Sequence, residues 1–381
     1  MKIFRDEIIE KLATEAESVF VSRNLKQEFS KNMLVIIPDL KLSGSLTVLM
    51  ELLYLFMEHD YGIYVISSED GEYREQLLNL GVVVAIRPYV ICTKEYRRFL
   101  QSIFDCVFMN TASVHFYIYY FLNTNAKVIW WLHETKMQLE TMQSVFPYVS
   151  LLSSNVHVAG VTQAVCRGIK ELCEVQISNL PMPIADCRTG RKIREDNVEK
   201  TIFFIPAAYT YIKGQDVLLQ AIMRLPEKYV DRVMFVFCGY QLEGQKVYYE
   251  KIKKISSQLK SVTFLEELDK QEVYEWYERC DCVIAPSRVD ATPTTIIEAM
   301  MFERLCIVSN ATGISEYMQD CVNGFIFQNE NVEELLKRIL LVIADGKSFG
   351  GIAKKGREIY EKYFSVSAVW EKLRDLDKDL F

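Results

Sequence analysis

The sequence predicts an α/β protein made of two doubly wound parallel-sheet domains, and three observations carry that expectation. The chain has 381 residues, more than one hydrophobic core usually serves, since single cores stop growing at roughly 250 to 300 residues. Short apolar runs alternate with helical patterns from residue 33, pause near residue 186 and restart at residue 201. Such alternation indicates βαβ units around a parallel sheet. Runs such as Val233-Met-Phe-Val-Phe-Cys238 are apolar throughout rather than at every second position, as expected of strands covered on both faces.

Residues 1–32 read as an N-terminal helical extension, with Phe4, Ile8, Leu12 and Ala16 spaced four apart on one face. Such a stripe is expected to pack on the protein's own domain, ahead of the alternative of lying on a membrane. Residues 33–185 form the first doubly wound domain. Its strands are expected at Met33–Pro38, Gly62–Ser67, Gly81–Ala85, Cys106–Asn110, Lys127–Leu132 and Val156–Gly160, with an amphipathic helix over Leu46–Glu58. Residues 186–200 are polar and charge-dense after Pro181 and Pro183, the composition of a linker. The second domain spans 201–365, with strands at Thr201–Ile205, Val233–Cys238, Val262–Leu265, Cys282–Ala285, Leu305–Val308 and Gly324–Phe327. After Asn331 the pattern is helical, and residues 366–381 form a last helix.

Composition excludes several classes. Half of the residues are apolar and 25% are charged, which is the balance of a globular protein rather than a disordered one. The longest uncharged apolar stretch, Val114–Leu122, is far short of the ~20 residues that cross a bilayer. The N-terminus mixes acids with bases and has no apolar leader core, so a cytoplasmic location is expected. Ten cysteines are scattered, and the closest pair, Cys280 and Cys282, has no second pair at zinc spacing; reduced thiols and no structural zinc follow. A net charge of −7 counts against nucleic acid as a partner. The basic clusters at Lys94–Phe99 and Lys251–Lys254 read as solvated helix faces, the first also being the candidate for contact with a membrane surface.

The chemistry concentrates in Asp290-Ala-Thr-Pro-Thr-Thr-Ile-Ile-Glu298, which follows the strand Cys282–Ala285. Asp290 falls at the carboxyl edge of the second sheet, where ligands of open α/β folds bind. Pro293 suits the start of a helix, and the amides and hydroxyls of Thr294 and Thr295 at that start form a seat for phosphate. Glu298, one turn on, can accept two hydrogen bonds from a ribose diol. A second reading of the same letters is a capping box, with Glu298 closing back on the amide of Thr295.

These residues, with Ala285-Pro-Ser-Arg288, Val308 and Thr312-Gly-Ile-Ser-Glu316, resemble the donor site of retaining glycosyltransferases of the GT-B fold, specifically glycosyltransferase family 4. The spacing matches that family's pair of acids eight positions apart, with Asp290 in place of the first Glu. Ile212-Lys-Gly-Gln-Asp216 resembles the family's K-G-x-D segment, and Pro38-Asp-Leu-Lys-Leu-Ser-Gly-Ser45 its glycine-bearing phosphate loop. Trp131-Leu-His133-Glu134 resembles the strand-end His-acid pair that positions the donor sugar. The likeness extends over nearly all of the chain after residue 32.

The resemblance implies two Rossmann-like domains facing a central cleft, with C-terminal helices, a donor in the second domain and an acceptor in the first. It assigns catalytic roles to Lys213, Asp290 and His133, and donor binding to Gly44, Ser45, Lys213, Thr294, Thr295, Glu298 and Asp290. Asn110, Glu134, Tyr209, Thr210 and Glu316 form a second tier. The implied activity is retaining transfer of a sugar from a nucleotide-diphosphate sugar to a glycan or lipid-linked acceptor in cell-surface polysaccharide synthesis, and metal-independent transfer is expected because no D-x-D-type acid pair stands at a strand end of the first domain. No cofactor is expected, and peripheral contact with the inner face of the membrane is the expected setting. Two departures from the family pattern stand out: Asp290 for Glu, and Ala208 where an Arg usually stands five positions before Lys213. The missing cation keeps open a noncatalytic sugar-binding or scaffold subunit. A GT-B-fold epimerase acting on a nucleotide sugar shares the same pocket and is a third reading.

Overall fold

A computed structural model describes residues 5–24, 28–41, 44–87, 93–142, 153–188 and 200–378. The chain divides into two compact units, one formed by Met1–Ala185 with Val366–Phe381, the other by Asp186–Ser365. Most of the expected linker, together with Phe4 and Cys92, lies outside the described residues.

The first unit opens with α1 (Arg5–Ala13) and β1 (Ser18–Val21), then β2 (Lys31–Ile37), α2 (Gly44–Glu58), β3 (Tyr61–Ser67), α3 (Tyr73–Leu80), β4 (Val83–Ile86) and α4 (Lys94–Ile103). It continues with β5 (Cys106–Asn110), a 3-10 segment at Ala112–Tyr120, β6 (Lys127–Leu132), α5 (Lys136–Thr141), β7 (Val156–Gly160), α6 (Gln163–Leu172) and β8 (Ile177–Asn179). The sheet runs β1-β4-β3-β2-β5-β6-β7-β8, parallel except that β1 pairs antiparallel with β4. Every residue of β3 is buried, so both faces are covered, as the unbroken apolar run required.

The N-terminal extension is therefore only partly helical. Ile8 and Leu12 are buried on α1, but Ser18-Val-Phe-Val21 forms a strand. Its β-branched and aromatic residues favour extended backbone, and the open edge of β4 supplies the hydrogen bonds that a helix would otherwise have to make internally.

The second unit contains β9 (Thr201–Pro206), α7 (Gln215–Met223), α8 (Glu227–Val230), β10 (Val233–Cys238), α9 (Lys246–Ser256), β11 (Val262–Phe264) and α10 (Lys270–Arg279). Then come β12 (Cys282–Ala285), α11 (Thr294–Met301), β13 (Leu305–Ser309), β14 (Phe325–Phe327), α12 (Val332–Asp345) and α13 (Gly350–Tyr363). The sheet order is β11-β10-β9-β12-β13-β14, parallel throughout. Phe203 and Phe235, register partners on β9 and β10, stack with centroids 4.7 Å apart in the core beneath α7 and α12.

The last helix, α14 (Val366–Leu376), packs on the first unit. Trp370 stacks on His59 at 3.8 Å and meets Phe56 edge-on. Beyond the helix, Asp377 is buried and accepts from Lys127 at 2.9 Å and His157 at 3.3 Å. Among the described residues no helix is long and apolar enough to cross a membrane, and the described cysteines are all free.

Candidate functional site

In the second unit β9 and β12 are neighbours, yet the chain leaves β9 for β10 on one side and β12 for β13 on the other. Beyond the carboxyl ends of two such strands a crevice opens. The segment after β9 makes a 3-10 turn at Tyr211–Lys213 that ends on Gly214 with φ +67°. A Cβ there would lie 2.0 Å from the carbonyl oxygen of Pro286, so only glycine lets this turn press on the loop that follows β12.

Arg288 locks the two loops together. Its amide donates to the carbonyl of Ile212 at 2.8 Å, and its guanidinium donates to the carbonyl of Tyr211 at 2.8 Å. The same guanidinium forks onto Asp216 at 2.8 and 3.0 Å and lies 3.9 Å from the Tyr211 ring centroid. Burial works to raise the pKa of Asp216, but hydrogen bonds from Arg288 and Tyr248 outweigh it and hold the carboxyl below its ordinary value. With both loops pinned, the Lys213 ammonium sits 2.6 Å from an oxygen of Asp290. Asp290 is itself tied by its backbone, whose carbonyl accepts from Gly313 at 2.9 Å beside a bridge to Thr312.

Helix α11 starts after Pro293 with no side-chain cap, so the N–H groups of its first turn are not claimed by a capping oxygen. Thr294 and Thr295 are half-buried at this start. The hydroxyls of Thr292, just before this start, and of Thr210, just before Lys213, are buried without a hydrogen-bond partner, an exception that calls for an explanation in a folded protein. Glu298 is buried and accepts from the Tyr277 hydroxyl at 2.9 Å. Burial first, then the neighbouring Glu298, pushes the Tyr277 phenol far up, so it stays a donor. The capping box does not form, because Thr295 lies inside the helix rather than at its N-cap.

One second-tier residue of this unit separates from the group. Tyr209 is fully buried, donates its hydroxyl to Leu265 at 2.8 Å and stacks on Phe264; it is a core residue and not a site hydroxyl. Its ring is drawn inward by the aromatic surface of β11 and α9. Glu316 is exposed on the 3-10 turn Gly313–Tyr317. Sequence reasoning missed Arg288 as the lock and Tyr277 as the partner of Glu298, since each acts on a residue remote in the chain.

In the first unit the switch point lies between β2 and β5. His133, just after β6, donates from Nε2 to the Asn110 side-chain oxygen at 2.9 Å, which leaves Nδ1 as an acceptor. That Nδ1 is buried without a partner. Burial pushes the His133 pKa down to about 3, so the ring is neutral at pH 7. Glu134 accepts from the amide of Ala112 at 2.7 Å and from that of His133 at 2.9 Å; its pKa is raised by burial against these bonds. Thr111 between them has φ +76° and ψ 164°, a conformation nearly confined to glycine and costing about 1–3 kcal/mol. Its amide donates to Trp131 at 2.8 Å and its carbonyl accepts the Trp130 indole at 2.9 Å, which hold it there. Gly44 and Ser45 begin α2, and a Cβ on Gly44 would meet nothing within 4 Å.

The chain matches two family descriptions in succession, Glycosyl-transferase family 4 over residues 29–177 and Glycosyl transferases group 1 over residues 188–359. The chain belongs to the GT-B, family 4-like glycosyltransferases. Within that family it is similar to an uncharacterised glycosyltransferase of Haemophilus influenzae, 27% identical over 168 residues that cover 43% of this chain and 45% of the relative. It is also similar to the N,N'-diacetylbacillosaminyl-diphospho-undecaprenol alpha-1,3-N-acetylgalactosaminyltransferase of Campylobacter jejuni, 24% identical over 89 residues, 23% of this chain and 24% of the relative. The chain thus spans less than half the length of the curated relatives it matches. Its fold is that of Anabaena HepE, solved in complex with UDP-glucose, with a TM-score of 0.76 and 16% identity over 92% of this chain and 100% of that one.

Proposed function

We propose that this chain is a retaining hexosyltransferase that moves a sugar from a nucleoside-diphosphate sugar to a glycan or lipid-linked acceptor, without a metal ion, in building a cell-surface polysaccharide. The observation that carries the proposal is the convergence of Lys213, Asp290, the uncapped start of α11 and buried Glu298 at one sheet edge. A diphosphate needs compact positive charge and N–H donors, and Lys213 with the first turn of α11 offers both. Glu298, held by Tyr277, is assigned to a ribose hydroxyl. The unpartnered acceptor of His133 suits a substrate hydroxyl, and the open space over Gly44 suits close approach of a phosphate.

In the proposed reaction the bond from the anomeric carbon to the phosphate oxygen breaks as the acceptor oxygen bonds the same face of that carbon. The acceptor's proton passes to a phosphate oxygen of the leaving nucleoside diphosphate. The protein positions these groups and stabilises the developing negative charge. The UDP-glucose complex of Anabaena HepE supports the donor class, and the name of the Campylobacter relative supports a lipid-linked acceptor. A cytoplasmic setting at the inner face of the membrane accords with Lys94, Arg97 and Arg98, exposed on α4.

The test is a panel of UDP, GDP, ADP and dTDP sugars, first for thermal stabilisation and then for turnover with and without chelator. Lys213→Ala is expected to lower turnover by about a hundredfold or more and Glu298→Ala to raise the KM for the donor, with chelator having no effect. The second reading, a sugar-binding subunit without turnover, draws on Ala208, whose carbonyl is taken by the Gln215 amide at 2.9 Å and whose side chain brings no charge. Donor binding with no transfer would favour it, whereas conversion of the donor without any acceptor would point to an epimerase.

A further inference from the structure

Lys213 and Asp290 are 77 positions apart in the chain and 2.6 Å apart in space. On the reading proposed above they have separate duties, the lysine toward the diphosphate and the acid toward the donor sugar. The geometry makes them one unit. We infer that Asp290 is the counter-ion and positioning residue of Lys213, so that its carboxylate and a nucleoside diphosphate compete for the same ammonium. This inference rests on the donor-site reading, and its test is chosen to separate the two.

Three observations carry it. Both side chains are withdrawn from water, 27% and 12% exposed, so the pair is screened less than an ion pair on the open surface. Both backbones are fixed independently of the pair, Lys213 through the Arg288 lock and Asp290 through Thr312 and Gly313. Side-chain length therefore decides what the acid reaches, and at this backbone position an aspartate reaches the ammonium. The third observation concerns charge. Position 208 contributes none, and the nearby Arg288 is committed to Asp216 and to Glu330 at 2.6 Å. Lys213 is thus the cation that Asp290 holds at this edge among the described residues.

Competition has a signature that a sugar contact lacks, because a nucleoside diphosphate has no sugar beyond its phosphates. The experiment measures by calorimetry, at fixed ionic strength, the Kd of UDP, GDP, ADP and dTDP for the native chain, Asp290→Asn, Asp290→Ser and Lys213→Ala. The diphosphate that binds the native chain is expected to bind Asp290→Asn and Asp290→Ser roughly threefold to tenfold more tightly, as removal of a partly buried competing charge requires. Both variants keep the backbone carbonyl that holds residue 290, and each removes the charge in a different way. Unchanged diphosphate affinity in both would overturn the inference while leaving the donor reading intact, and weaker binding of the matching nucleotide sugar, titrated alongside, would make Asp290 a sugar contact. Undiminished diphosphate affinity in Lys213→Ala, or a native chain that binds none of the four, would overturn the donor reading and this inference with it.

Discussion

A buried carboxylate keeps its place only if its oxygens are answered, and Glu298 is answered by a phenol from the preceding helix. Tyr277→Phe should cost about 1–3 kcal/mol in denaturant unfolding and raise KM for the nucleotide sugar more than it lowers kcat, because it loosens a binding group rather than a reacting one. His133 makes a pH prediction. Its pKa is about 3 in the folded chain against an ordinary 6.5, so the unfolded chain binds the extra proton first. Its contribution to stability is complete above about pH 6.5 and is lost as the pH falls toward 3. Native chain and His133→Gln, which both retain Glu134, should therefore diverge below pH 6.5, the native chain losing stability faster in chemical denaturation. That Asp290 and Glu298 flank one helix start was legible in the sequence from their spacing. The contact between Lys213 and Asp290 was not, because no local pattern encodes which loops a sheet brings together. Tyr209 was misread for the same reason: the rings that claim it come from Tyr249 and Phe264.

The 3-10 turn at Tyr211–Lys213 is the element on which the site depends, and it is held from outside itself. Gly214→Ala would place a methyl group 2.0 Å from the Pro286 oxygen in a left-handed conformation, so unfolding measurements should show a loss of at least about 2 kcal/mol. Arg288→Lys keeps the charge but loses the planar fork on Asp216. A KM for the donor raised several-fold with a modest loss of stability is the expected outcome, and an unchanged KM would remove Arg288 from the positioning of Lys213. The strands were readable to within about two residues, because a parallel strand covered on both faces must be an unbroken apolar run, as residues 106–109 and Val233–Cys238 are. β1 and β8 were not. Ser18–Val21 and Ile177–Asn179 are too short to show a period, and they are strands because a sheet edge offers them partners.

At the scale of the whole molecule, the first unit takes elements from both ends of the chain. Trp370 covers Phe56 and His59, and Asp377 answers Lys127 and His157. Trp370→Ala should destabilise this unit by about 2 kcal/mol, less than a fully buried tryptophan would cost, and hydrogen exchange should show the loss in α2 before any change in α11. The sequence announced a helix after residue 365 but not its destination, since an amphipathic face does not say which surface it will cover. That destination imposes an order on synthesis. Residues 366–376 leave the ribosome only after all of the second unit has been made, so the Phe56 and His59 face waits uncovered through that interval and the unit begun first is the one finished last.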